Sequence, residues 1–205
     1  MTKVKICGIK TLDAAKTAEK YGADFIGFIF WRKSHRYISP DGAKKIASKI
    51  HDSATVGVFV DEDIDEVNRI AEMVGLDYVQ LHGHEDSKYA MSLKRPVIKA
   101  YRFGDNFNED EANAFPAQYI LIDSFQKGKM GGTGKPFRWS QSAEAIKKIK
   151  KPVIMAGGIS KDNVEEAIST VHPMGVDVSG SLEVNGEKSP ELIKEFLSMV
   201  KENNL

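Results

Sequence analysis

The chain has 205 residues, 41% of them hydrophobic, which is enough to bury one full core. Its 29 basic and 29 acidic side chains cancel, which removes the electrostatic case for nucleic acid or an anionic membrane surface as partner. No apolar run approaches the ~20 residues that span a bilayer, no signal-peptide pattern is present, and one cysteine cannot form an internal disulfide, so a reducing cytoplasm is the expected compartment.

Short apolar runs alternate with amphipathic stretches along the whole chain. The first run, Val4–Cys7, ends on the only cysteine and is followed at once by Gly8. A thiol where a strand opens onto a loop is placed for chemistry; the competing reading is a small buried hydrophobe. Leu12, Ala15, Ala18 and Tyr21 share one helical face, stopped by Gly22. Phe25–Phe30 is the second run. Ser39 and Pro40 then supply an N-cap and a first-turn proline before Ala43, Ile46, Ala47 and Ile50. Thr55–Val60 is the third run, followed by Ile64, Val67, Ile70 and Val74 with Gly75 as a stop. Tyr78–Leu81 and Val97–Ala100 come next. The acidic, Asn-rich stretch from Asp105 to Phe115 predicts only a short or irregular helix. Tyr119–Ile122 and Val153–Ala156 follow, with Ser160 as the expected cap of a helix through Val164 and Ile168. Val176–Val178 is the last run, and Ser189 and Pro190 open a helix striped by Ile193, Phe196, Leu197 and Val200.

Near-continuous apolar runs fit parallel strands covered on both faces. Eight such pairs without a break in composition predict a single-domain α/β fold over residues 1–205, a (β/α)8 TIM barrel. An open doubly wound sheet is the alternative. The sequence after the first strand, Gly8-Ile9-Lys10-Thr11, lacks the glycine spacing of a dinucleotide site.

Barrels of this kind place chemistry at the C-terminal ends of the strands. The polar residues there are Cys7, Gln80 with His82, Asp123, and Asp177 with Ser179. The loops just beyond add Ser34, His35 and Arg36. Gly157-Gly158, expected to open a helix after strand seven, and Ser179-Gly180-Ser181 after strand eight offer backbone N–H groups for a phosphate. Gly131-Gly132-Thr133-Gly134-Lys135 is not a P-loop, because Lys129 and Pro136 stand where glycine and a hydroxyl residue are required. It reads as a lid, a substrate-contacting loop, or a plain surface loop. Strand alternation puts Lys5 and Cys7 on one face, and Asp177 and Ser179 on one face of a strand that is a neighbour in a closed barrel. A buried Lys5–Asp177 pair beside the thiol is one expectation; a Lys5 that reaches solvent at the barrel bottom is the other. The five histidines are scattered without partners at zinc spacing, so no metal is expected.

The pieces KICGIK (Lys5–Lys10), GFIF (Gly27–Phe30), SHR (Ser34–Arg36), VGVFV (Val56–Val60), VQLHG (Val79–Gly83), LID (Leu121–Asp123), GGTGKPFRW (Gly131–Trp139), MAGGIS (Met155–Ser160) and VDVSGSLEVNGEK (Val176–Lys188) resemble, in order and spacing, the phosphoribosylanthranilate isomerases of tryptophan biosynthesis. The resemblance implies an Amadori rearrangement of a phosphorylated small molecule, without cofactor, in a protein expected as a monomer with a homodimer as the alternative. It assigns Cys7 as general base and Asp123 as general acid. Arg36 would meet the anthranilate carboxylate. Gly157, Gly158, Ser179, Gly180 and Ser181 would hold the phosphate, Gln80 and His82 would line the pocket, and Asp177 would join the substrate contacts. The chemistry asks for a raised Asp123 carboxyl and a lowered Cys7 thiol. Two departures stand out: Phe137-Arg138-Trp139 where relatives often have an aspartate in the middle, and Ser179-Gly180-Ser181, which shifts a glycine by one position. Three rivals remain. One is the related isomerase of histidine biosynthesis, or an enzyme of both pathways; it would favour paired aspartates over Cys7. Another is a Schiff-base lyase using Lys99, and the last is a barrel that only binds.

Overall fold

The structure is a computed structural model and describes residues 1–104, 107–123 and 139–202. Among them, β1 (Lys3–Cys7), β2 (Phe25–Ile29), β3 (Ala54–Phe59), β4 (Tyr78–Leu81), β5 (Val97–Arg102), β6 (Tyr119–Asp123), β7 (Val153–Ala156) and β8 (Gly175–Val178) pair in that order into a closed parallel barrel. The expected TIM barrel is therefore the fold, and the open sheet is excluded by the β8–β1 pairing of Lys3 with Gly175 through Ile6 with Val178.

Helices α1 (Leu12–Lys20), α2 (Pro40–Ala47), α3 (Ile64–Val74), α4 (Ser87–Met91), α5 (Glu109–Ala114), α6 (Trp139–Lys147) and α7 (Val164–Val171) follow the first seven strands. After β8 come a 3₁₀ turn (Gly180–Leu182), a hairpin of β9 (Glu183–Val184) and β10 (Glu187–Lys188), and α8 (Pro190–Glu202). The first five helix starts have a local cause. Thr11, Ser39, Asp63, Asp86 and Asn108 accept hydrogen bonds from the first free N–H groups of α1 to α5. Gly75 ends α3 in the left-handed conformation at φ 78°, where a side chain would be strained. The fifth helix is six residues long, as its composition predicted.

One expectation fails. Ser160 does not cap α7, and the glycine run does not open that helix. The Ser160 carbonyl instead accepts the N–H groups of Asn163 and Val164, so a turn separates the run from the helix that starts at Val164.

Strand alternation sorts the core into two. The outward side chains, among them Ile6, Ile26, Phe28, Leu81, Ile120 and Met155, pack under the helices. The inward ones, Phe25, Val56, Ile98, Ala100, Leu121, Ile154 and Ala156, fill the lumen. Phe25, Tyr78 and Tyr119 each begin their strand and close the N-terminal end of the barrel as a cluster of rings 5.7, 5.8 and 5.9 Å apart. Such aromatic pairs add about 0.5–1.5 kcal/mol each beyond their buried area. The packed lumen leaves the opposite rim for chemistry. No helix among the described residues is long and apolar enough to cross a membrane.

Candidate active site

Inward alternation delivers Cys7, Gln80, Asp123 and Asp177 to the C-terminal end of the lumen, on β1, β4, β6 and β8. The Lys5–Asp177 pair is present: the Lys5 ammonium donates to Asp177 Oδ1 at 3.0 Å, with side chains 0% and 9% exposed. Lys5 therefore does not reach solvent, and Asp177, expected among substrate contacts, is occupied with it. Lys5 Nζ and Cys7 Sγ face the same small space beside β2, and each charge acts on the other's titration. Gly27, level with Cys7 on β2, makes the room. A Cβ there would lie 3.0 Å from Cys7 Sγ and 3.2 Å from Lys5 Nζ.

The electrostatics of this cluster correct one expectation. Burial raises the Cys7 thiol above its ordinary range, and Asp177 adds to that; Lys5 and Lys188 pull it down but do not prevail. The thiol is thus raised in the free enzyme, where the chemistry had asked for a lowered one. For Lys5, burial opposes the charged form, but Asp177 and Cys7 outweigh it, and the ammonium is held more firmly than usual.

On the facing strands, Gln80 is fully buried and its Nε2 donates to His82 Nδ1 at 2.9 Å. That assignment leaves the imidazole hydrogen on Nε2, which lies 3.7 Å from Asp123 Oδ2. Three of the expected site residues therefore form one line, Gln80 to His82 to Asp123. Gln80 Oε1 is buried without a hydrogen-bond partner.

Arg36 stands in the loop after β2, against Gly8. Gly8 has φ 82°, and a Cβ there would lie 2.7 Å from Arg36 Cδ. Its guanidinium is gripped by Glu183, with Nε–Oε1 at 2.5 Å and Nη2–Oε2 at 3.0 Å. Glu183 also accepts from the buried Lys188, whose ammonium reaches Ser179 Oγ at 3.4 Å. Burial pulls the Lys188 ammonium below its usual range, with Glu183 opposing. Glu183 and Lys188 were missed as site residues. The signal was available: Asn185-Gly186, both at positive φ, is the two-residue turn of a hairpin, which places Glu183 and Lys188 opposite each other.

The two proposed anion loops meet. Ser181 Oγ donates to the Ile159 carbonyl at 2.6 Å, and Ser179 Oγ donates to the Cys7 carbonyl at 3.0 Å. These hydroxyl hydrogens are spent inside the protein. Gly157 and Gly158 take φ 94° and 74°, and the Asn163 amide braces the turn by donating to the Gly158 carbonyl at 2.9 Å. No loop hydrogen bond between backbone groups uses the N–H of Gly158, Ile159, Gly180 or Ser181 among the described residues.

Lys99 does not serve a Schiff base. It lies on the outward face of β5, between the inward Ile98 and Ala100, and its ammonium is buried against Glu85 Oε2 at 2.9 Å and the Gly83 carbonyl at 2.8 Å. The Gly131–Lys135 loop, Arg138 and their expected roles lie outside the described residues.

Residues 4–199 match the family model described as N-(5'phosphoribosyl)anthranilate (PRA) isomerase. The N-(5'-phosphoribosyl)anthranilate isomerase of Bacillus cereus (strain AH187) is 43% identical over 201 residues, 98% of either chain. A solved phosphoribosyl anthranilate isomerase in complex with reduced 1-(o-carboxyphenylamino)-1-deoxyribulose 5-phosphate superposes with a TM-score of 0.84 at 34% identity, covering 98% of this chain and 100% of that one. A monomeric form of the dimeric enzyme of Thermotoga maritima gives 0.82 at 33% identity, with the same coverage. With the closed barrel and the rim of polar residues already described, these likenesses place the chain in the N-(5'-phosphoribosyl)anthranilate isomerase family.

Proposed function

We propose that Cys7 is the general base and Asp123 the general acid of this isomerase, working in a pocket where Arg36 meets the anthranilate carboxylate and the loops after β7 and β8 hold the phosphate. The reaction converts N-(5'-phosphoribosyl)anthranilate to 1-(2-carboxyphenylamino)-1-deoxyribulose 5-phosphate in tryptophan biosynthesis. The observation that supports this pair is positional; which of the two is acid and which is base follows from the family resemblance. Cys7 and Asp123 each end an inward-facing row, on β1 and β6, so one closed barrel aims a thiol and a carboxyl into the same rim.

The steps follow from those two groups. Asp123 gives a proton to the furanose oxygen, the C1–O bond breaks, and the nitrogen lone pair forms a protonated Schiff base. Cys7 as thiolate takes the C2 proton, and the C2–H electrons close an enolamine. Tautomerisation of that species gives the ketone. Nothing beyond one acid and one base is required. The line from Gln80 through His82 holds a ring N–H toward Asp123 and so orients its carboxyl. Arg36 keeps one end of its guanidinium on Glu183 and has N–H donors left for a carboxylate. Gly157, Gly158, Gly180 and Ser181 contribute main-chain N–H groups to the phosphate, while the Ser179 and Ser181 hydroxyls tie the loops together.

The whole chain acts as one catalytic domain, as a cytoplasmic monomer, with a homodimer as the alternative that sedimentation would reveal. The deciding experiment generates phosphoribosylanthranilate in situ and follows the loss of its fluorescence. Cys7→Ala should lower kcat about 10²- to 10⁴-fold with KM little changed. If more than about a tenth of wild-type kcat survives, Cys7 is not the base.

A further inference from the structure

We propose that Lys5, held in place by Asp177, is the positioning residue of the general base: its ammonium shares a buried space with Cys7 and favours the thiolate against the cost of burial. The catalytic consequence rests on the reading of Cys7 as base; the contact itself does not.

The geometry is a buried three-membered line. Lys5 Nζ donates to Asp177 Oδ1 at 3.0 Å, on the same inward face of β1 as Cys7. Both Sγ and Nζ crowd the same missing Cβ of Gly27, at 3.0 and 3.2 Å. Lys5 and Cys7 are two residues apart on one strand, so the backbone of β1 fixes their spacing. A fully buried ammonium is an expensive way to fill a barrel, since an apolar side chain of similar volume is often neutral or stabilising. A lysine kept there beside the sole thiol has a chemical use.

The charged groups around the thiol come from three elements. Lys5 on β1 favours the thiolate, Asp177 on β8 opposes it, and Lys188 on β10 favours it from farther out, with Glu183 and Arg36 behind Lys188. Gly27 on β2 brings no charge. Lys5 is thus the strongest influence set against burial. When Cys7 takes the C2 proton, the C2–H bond breaks, an S–H bond forms, and the ammonium keeps Asp177 as its counter-ion. The line is neutral with the sulfur protonated and carries one excess negative charge as thiolate, which Lys188 faces from β10.

Cys7 is the only cysteine, so alkylation by iodoacetamide reads it without interference. The rate is followed by mass from pH 6 to 11 in wild type and Lys5→Met. The midpoint in Lys5→Met should lie at least one pH unit higher, with a tenfold or greater fall in alkylation rate at neutral pH and a loss in kcat at near-constant KM. Coincident midpoints in a folded Lys5→Met protein overturn the proposal. Should that variant fail to fold, lysine labelled with ¹³C at Cε decides the matter. The Lys5 signal of the wild type should step at the pH where alkylation inflects, and the step should vanish in Cys7→Ala. A Lys5 titration identical in the two proteins overturns it as well. Full activity in Cys7→Ala would instead sink the base assignment and leave the Lys5–Cys7 coupling standing.

Discussion

Glu183 grips the Arg36 guanidinium with both carboxylate oxygens and accepts from Lys188 with one of the same two. A single carboxylate therefore sets the direction of the expected carboxylate anchor and the place of a buried lysine behind Cys7. Glu183→Gln should raise KM at least tenfold while kcat falls less, because the guanidinium loses its two-point hold. The same residue predicts an acid limb of stability. Burial pushes the Glu183 carboxyl up, but Arg36 and Lys188 prevail and hold it at about 2 against an ordinary 4.5. A carboxyl depressed on folding stabilises the protein above its unfolded value and loses that contribution as pH falls. Urea midpoints of the wild type should therefore drop between pH 4.5 and 2 more steeply than those of Glu183→Gln; parallel curves would refute the argument.

The loops after β7 and β8 are cross-tied at Ser181 and Ile159, so the proposed phosphate site is one unit. Gly158→Val should raise KM sharply. Nothing lies within 4 Å of its added Cβ, but φ 74° strains any β-branched residue there. The strain is on the order of 1–2 kcal/mol, a modest fall in thermal stability. Ser179→Ala should do less to KM. Inorganic phosphate should inhibit competitively and raise the melting temperature by mass action; noncompetitive inhibition would move the phosphate elsewhere.

Gly27→Ala is a minimal change that should disturb the proposed base. Its methyl would press on Cys7 Sγ and Lys5 Nζ together. Overpacking of this kind costs about 1–3 kcal/mol. The expected result is a folded protein with kcat down at least tenfold. Unchanged turnover would show that the thiol tolerates displacement.

Asp123→Asn should lose kcat steeply and fold normally, since asparagine keeps the shape but has no acid proton. The wild-type kcat/KM profile should be bell-shaped. Because the Cys7 thiol is raised, its acidic limb should extend to higher pH than for an ordinary cysteine. A profile flat from pH 5 to 9 would remove both assignments.

Lys99→Met should destabilise by about 3–5 kcal/mol, because Glu85 is then buried without its cation. Borohydride reduction of wild type with substrate should give no mass shift, since the Lys99 amine is engaged outside the lumen. A trapped adduct on Lys99 would revive the Schiff-base mechanism.

Much of this was readable beforehand because strand alternation is strict. Knowing that Cys7 faced the lumen fixed Lys5, and closure of the barrel then fixed Asp177. Helix starts at Ser39 and Ser189 followed from capping chemistry. What escaped was long-range or electrostatic. The fate of Ser160 depended on how the Gly157-Gly158 turn runs before α7. The partner of Arg36 lies 147 residues away, on a hairpin whose Asn-Gly turn was not weighed. The rise of the Cys7 thiol reflects burial, which no local pattern reveals.

The ring cluster of Phe25, Tyr78 and Tyr119 makes the barrel a blind alley. With the proposed site at the open rim, substrate and product would share one doorway, past Arg36 and the glycine turns, and the departing ketone would vacate the space that the next ribosylamine fills. Traffic through such a site is one-at-a-time by construction, so accumulated product should compete directly with incoming substrate.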